Sequence, residues 1–137
     1  MTECEMREYL EGHFYASKKI KALEAEKLQL RLRAQGGAIN YEENNTVSKL
    51  NHTERKLMEI ADDETEIDNE IQKLKNKQKE IRRTISLLHD NDLESVLIFR
   101  YIVYRSEEET AEELHYANRT VQEKIKKAIK KLCGKMC

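Results

Sequence analysis

The sequence predicts an all-α protein: a long N-terminal helical hairpin or coiled coil, followed by a module of three short helices. Three observations carry that reading. The 137 residues are 37% charged and only 6% aromatic, with no proline and no tryptophan, which is the composition of long helices and coiled coils. Ile60, Ile67, Leu74, Ile81 and Leu88 recur every seventh residue, a heptad seam. Beyond residue 90, short apolar-periodic segments alternate with helix-start signals. The chain length suits one domain, or one small domain with an extension. The expected division is a hairpin over residues 1–89 and a compact module over residues 90–137. The low apolar share excludes a large globular core.

The first element is a helix over residues 3–34. Met6, Tyr9, Leu10, Phe14, Ile20, Leu23, Leu28 and Leu30 fall mostly at three- and four-residue steps, the period of an amphipathic helix. Gly12 is a weak point, costing about 1 kcal/mol relative to alanine. Gly36-Gly37 is read as the end of this helix, because helix C-termini favour residues that accept left-handed torsion. Residues 35–52, rich in Asn, Thr, Ser and Gly, are expected to form a connecting loop, with short structure around residues 47–50.

The second helix is expected over residues 53–89. Leu57, Ile71 and Ile85 add a second apolar position to several heptads, while Glu64 and Gln78 interrupt the seam and help to fix its register. At ~1.5 Å per residue, both helices would be about 45–55 Å long. An antiparallel hairpin in one chain satisfies the seam, and so does pairing with a second chain.

The module begins after His89-Asp90-Asn91-Asp92. Asn91 is placed to cap a helix over residues 93–104, with Glu94 completing a capping box. That helix carries Val96, Leu97, Ile98, Phe99, Tyr101, Ile102 and Val103. A helix apolar on most sides is buried from more than one direction, so it is expected at the centre of the module. Ser106 and Glu109 form a second capping box for a helix over residues 107–115, whose acidic first turn complements the helix dipole. A short turn at Tyr116-Ala117 leads to a last helix, from residue 118 or 120 to about 132. Val121, Ile125, Ala128, Ile129 and Leu132 form its buried stripe.

Charge separates these last two helices. From residue 117 onwards Arg119, Lys124, Lys126, Lys127, Lys130, Lys131 and Lys135 face the single acid Glu123, whereas the preceding helix holds Glu107, Glu108, Glu109, Glu112 and Glu113. A basic helix ending a helix-turn-helix is the footprint of a duplex DNA reader. Asn118, Arg119, Gln122 and Lys126 lie on its outer face near the N-terminus and are the base-contact candidates. Arg pairs with guanine O6 and N7, and Asn or Gln with adenine. Lys124, Lys127, Lys130 and Lys131 are the phosphate-contact candidates, which position without reading sequence.

These residues resemble the region-four helix-turn-helix of bacterial sigma factors. The matching pieces are Phe99-Arg100-Tyr101-Ile102, Glu109-Thr110-Ala111-Glu112-Glu113-Leu114, Arg119-Thr120-Val121 and Ala128-Ile129-Lys130-Lys131-Leu132. With a long coiled coil before it, the chain resembles the RinA/ArpU-type phage and prophage transcription regulators. That resemblance implies sequence-specific control of late or packaging genes. Thr110 stands where the family usually has isoleucine, His115 where the turn often has glycine, and Ala117 where Ser or Thr is common. Lys124-Ile125 shifts one apolar position along the last helix. Much of the sigma-factor machinery for binding core polymerase and melting promoters has no counterpart here, so an autonomous sigma factor is not expected.

No glycine-rich phosphate loop and no nucleophile–base pair is present, so enzymatic chemistry and cofactors are not expected. Cys133 and Cys137 are four apart, but His13, His52, His89 and His115 have no ligand spacing with them, and no metal is expected. Three cysteines without framework spacing suit a reducing compartment. The N-terminus is charged and mixed, and no apolar run approaches the roughly 20 residues of a membrane span. The expectation is a cytoplasmic protein whose partner is double-stranded DNA. RNA polymerase and a second copy joined through the coiled coil are the further partners considered, with no membrane. The rival expectation is a helical assembly or adaptor protein, in phage packaging or docked on RNA polymerase, with no sequence-specific reading of DNA.

Overall fold

A computed structural model describes the backbone of residues 1–39 and 47–136, and the side chains of residues 1–34 and 54–136. The described residues are helical almost throughout. Helix α1 runs Glu3–Ile39 and α2 runs Val47–Ser86; α3 (Asn91–Leu97) continues as a π-helical segment, Ile98–Ile102; α4 (Glu107–Leu114) and α5 (Asn118–Met136) complete the chain. No helix among the described residues is long and apolar enough to cross a membrane.

Helix α1 does not stop at Gly36-Gly37, as the sequence suggests, but carries its helical backbone through them to Ile39. Glycine costs about 1 kcal/mol per position in a helix, which lowers stability there without forbidding continuation. Helix α2 likewise begins inside the expected loop, at Val47; residues 40–46 lie outside the described residues. Its other end comes three residues early. The amides of Leu87, Leu88 and His89 bond back three residues, to Thr84, Ile85 and Ser86. This tighter turn ends at His89, whose φ of 52° is left-handed.

The chain forms two compact units, Met1–Ser17 with Lys75–Cys137, and Lys18–Leu74. In the second, the hairpin unit, Ile20, Leu23 and Leu30 of α1 meet Ile67 and Ile71 of α2, with Ile60 and Leu74 half-buried beside them. Lys27 pairs with Asp68 at 2.7 Å and Arg31 with Glu64 at 3.4 Å. Four residues up α1 thus correspond to four residues down α2, so the helices are antiparallel and the seam closes within one chain. Glu64, one of the two polar seam residues, is satisfied by Arg31.

The first unit, the module unit, joins the beginning of α1 and the end of α2 to all three short helices. Met6, Leu10, Ile81, Ile85 and Leu88 share a core with Leu93, Val96, Leu97, Tyr101, Ala111 and the buried face of α5. This core crosses the division expected at residue 89. Gln78, the second polar seam residue, donates to Ser17 Oγ at 2.7 Å and to the His13 carbonyl at 3.1 Å. A polar residue in the seam therefore ties one register to specific partners.

Helix α3 is capped by Asp90 rather than Asn91. Asp90 is extended (φ −136°, ψ 110°), and its carboxylate accepts from the amides of Asp92 and Leu93 at 3.1 and 3.2 Å. Those bonds and the nearby Lys131 and Lys127 hold its carboxyl below the usual aspartate range, against a partial desolvation. The expected single helix to residue 104 instead widens into the π-helical segment, where the Val103 amide bonds to the Ile98 carbonyl and that of Arg105 to Phe99. Widening leaves Val103 and Tyr104 substantially exposed, so the helix is not buried all round. Tyr104 takes a left-handed φ of 64°. Its hydroxyl meets the side chains of His13 and Ser17 and donates to the His13 carbonyl, tying the corner to α1. Burial lowers the affinity of His13 for a proton.

Candidate nucleic-acid interface

The site is built on how α4 and α5 are held. Ser106 accepts from the Glu109 amide at 3.1 Å and Glu109 reaches back to the Ser106 amide, the reciprocal box expected from sequence. Thr110, fully buried, donates its hydroxyl to the Ser106 carbonyl at 2.8 Å. A polar side chain thereby fits an apolar position without an unsatisfied group. Helix α4 ends on His115, left-handed at φ 59°, ψ 43°. The turn is closed by a bond from the Tyr116 amide to the Ala111 carbonyl. Helix α5 begins at Asn118, with the Val121 amide bonded to the Ala117 carbonyl. Ala117 thus occupies the cap position with no side chain to offer, and Asn118 is the first helical residue.

Helix α5 packs against both α3 and α4. Val121, Ile125, Ala128, Ile129 and Leu132 are at most 3% exposed, which fixes the orientation of every other residue on the helix. At 3.6 residues per turn, the predicted contacts fall into three rows rather than one face. Arg119, Lys126 and Lys130 share one outward row, all exposed, with Glu123 and Lys127 beside it. Asn118 and Gln122 lie along the edge facing α4. Lys124, Lys127 and Lys131 lie along the opposite edge with Lys135, whose ammonium donates to the Leu87 carbonyl at the end of α2.

Several of these side chains already have partners within the chain. Arg119, 89% exposed, pairs through Nε with Glu123 at 3.3 Å. Gln122 donates to Glu107 at 3.0 Å. Lys124 is half-buried, its ammonium 5.1 Å from the centre of the Tyr116 ring, a cation–π contact. Lys124 is thus the least free of the four predicted phosphate contacts.

Asn118 and Gln122 line an open depression of about 310 Å³ together with Arg100, Ser106, Glu107 and Glu108. Arg100 donates through Nη1 to the Arg105 carbonyl at 2.6 Å, while its Nε is buried without a partner. The sequence alone places neither Arg100 nor Glu107 in the candidate interface. The Arg119–Glu123 pair is legible as an i, i+4 spacing. The Gln122–Glu107 contact joins residues on different helices and leaves no such trace. Cys133 is a half-buried free thiol, and Cys137 lies outside the described residues.

Chemically the surface offers one guanidinium, two side-chain amides and a set of ammonium groups around the first three turns of a helix whose back is locked in place. These are donors suited to base edges and phosphates, with two carboxylates holding the central Arg and Gln. No protein-family model matches this chain, and no curated protein or solved structure matches it significantly.

Proposed function

We propose that α5 is the DNA-reading helix of a sequence-specific transcription regulator, of the phage or prophage kind that its resemblance to RinA/ArpU-type proteins and sigma region four implies. One observation carries the reading. The buried stripe of α5 leaves Arg119, Lys126 and Lys130 no direction but outward, on a helix with seven basic residues and one acid. Binding then proceeds by an exchange of partners. In the free protein Arg119 pairs with Glu123 and Gln122 with Glu107, and base edges replace these carboxylates on binding.

The test is a salt series on duplex fragments from candidate promoters. Specific binding is expected to weaken steeply as salt rises. Arg119→Ala and Gln122→Ala should each lose about 1–3 kcal/mol of discrimination at one base position. Lys127→Ala should weaken all duplexes alike and flatten the salt slope by about 0.9. If no fragment is bound above the nonspecific level at low salt, the proposal fails.

The assembly or adaptor reading has one observation in its favour. Leu28 and Leu32, one turn apart on α1 of the hairpin unit, are 57% and 49% exposed. Self-association along that stripe would build a helical assembly without any contact to base edges. Light scattering measures it directly: a monomer at micromolar concentrations removes this reading's support.

A further inference from the structure

The charge of α2 changes sign along its length. Between residues 59 and 70 every charged side chain is acidic; between 73 and 83 every one except Glu80 is basic. The helix dipole accounts for a preference only in the last turn, where Arg83 lies. Ion pairing with α1 serves part of the acidic half, through Asp68 and Glu64, but not the basic half. The beginning of α1 carries Glu3, Glu5, Glu8 and Glu11 in the same unit, yet among the described residues no ion pair links them to α2.

Lys75, Lys79, Arg82 and Arg83 stand at i, i+4, i+7 and i+8 and are all exposed, while Ile81 and Ile85 on the inner side are completely buried. The four cations therefore form one outward strip. Arg82 uses one guanidinium nitrogen on Ser86 Oγ at 2.7 Å, which holds it extended along the helix. The strip ends where α5 arrives: Lys135 bonds to the Leu87 carbonyl, and Lys127 and Lys131 stand near enough to Asp90 to favour its charged form. The corner at residues 87–90 thus joins one basic row to the other.

We propose that Lys75, Lys79, Arg82 and Arg83 form a second phosphate-contacting surface, joined to the Lys127–Lys131–Lys135 edge of α5, which holds duplex backbone flanking the bases that α5 reads. This rests on the DNA-reading proposal above. Duplex phosphate fits the strip better than an acidic protein does. Protein interface cores are depleted in lysine and centred on aromatic or apolar anchors, whereas the exposed Leu87 lies beyond Arg83 at the end of the strip and not among its cations. A phosphate ladder asks only for regularly spaced positive charge.

The experiment compares wild type with the combined variant Lys75→Gln, Lys79→Gln, Arg82→Gln and Arg83→Gln on two duplexes, one trimmed to the protected core and one with long flanks. Circular dichroism and melting establish that the variant is folded; single Lys79→Gln repeats the measurement with minimal disturbance. On the long duplex the salt slope should fall by about 0.9 for each phosphate left without its cation, roughly three to four units for the combined variant and one for the single. Cognate and noncognate DNA should lose affinity by the same factor, and on the trimmed duplex the deficit should vanish. Wild-type slope and affinity in the combined variant overturn the proposal, as does an equal deficit on both duplexes, or a wild-type protein that binds no duplex. If wild type shows no sequence preference while the variant still loses slope, the strip stands and the reading of α5 falls.

Discussion

The two compact units use the same two helices with unequal results. In the module unit Met6, Leu10, Ile81, Ile85, Val96, Leu97, Val121, Ala128 and Leu132 are all completely buried. In the hairpin unit the best-buried residues, Leu23 and Ile67, keep 5% and 7% of their surface, and Leu57 and Met58 are largely in solvent. Two helices can cover only one stripe of each other, so every seam residue has an open flank. Once α3, α4 and α5 pack around the ends of α1 and α2, the same heptad positions are enclosed on all sides. The difference assigns stability to the module unit and makes the hairpin unit the part that opens first.

The largest expected effect tests that assignment with matched truncations. Leu97→Ala removes a fully enclosed side chain from the centre of the module and should cost about 3 kcal/mol or more. Ile67→Ala, in the open seam, should cost about 1–2 kcal/mol, because water and neighbouring side chains reach the vacated space. Urea unfolding followed by circular dichroism measures both, with hydrogen exchange locating the loss. Equal costs would show that the hairpin unit is as tightly closed as the module, and the contrast would collapse.

A smaller effect concerns the corners that let the module close. His89, Tyr104 and His115 all adopt positive φ, and each ends a helical segment. A left-handed residue other than glycine is strained by about 1–2 kcal/mol. Part of that is offset because glycine is freer in the unfolded chain. His115 is exposed, so His115→Gly should raise stability by about 0.5–1 kcal/mol, read as a higher melting temperature. A drop would mean that the imidazole makes a contact worth more than the strain.

What the sequence made legible follows the same division between local and distant causes. The Ser106–Glu109 box, the stripe of α5 and the seam of α2 from Ile60 to Leu88 depend on residues three, four or seven apart, and each is found where it was expected; Leu57, also expected in the seam, is exposed instead. Other features depend on contacts that spacing does not encode. Asp90 rather than Asn91 caps α3 because the turn after Ser86 places Asp90 in extended backbone just before the helix. The π-helical segment re-aims Tyr104 toward His13 and Ser17, far away in sequence. The rows of α5 could be counted from its period, but the capture of Gln122 by Glu107 required the packing of α4.

The smallest effect decides what holds the hairpin unit together. Lys27 and Asp68 are in good geometry, but their side chains are 24% and 52% exposed. A pair so open to water gains little beyond the entropy it costs, typically about 0.2–1 kcal/mol. A double-mutant cycle with Lys27→Gln and Asp68→Asn should therefore give a coupling of about 0.5 kcal/mol at low salt. In 1 M salt, where the screening length is about 3 Å, most of it should disappear. Lys27 is a cleaner probe than Arg31, whose partner Glu64 sits at a seam position and loses more by being left alone. A Lys27–Asp68 coupling above about 1.5 kcal/mol, surviving high salt, lies outside the range for exposed pairs. It would mean that charge, not the thin line from Ile20 to Leu30 against Ile67 and Ile71, sets the register. The hairpin unit would then be specified by ion pairs and the module unit by its core, a division of kind rather than of degree.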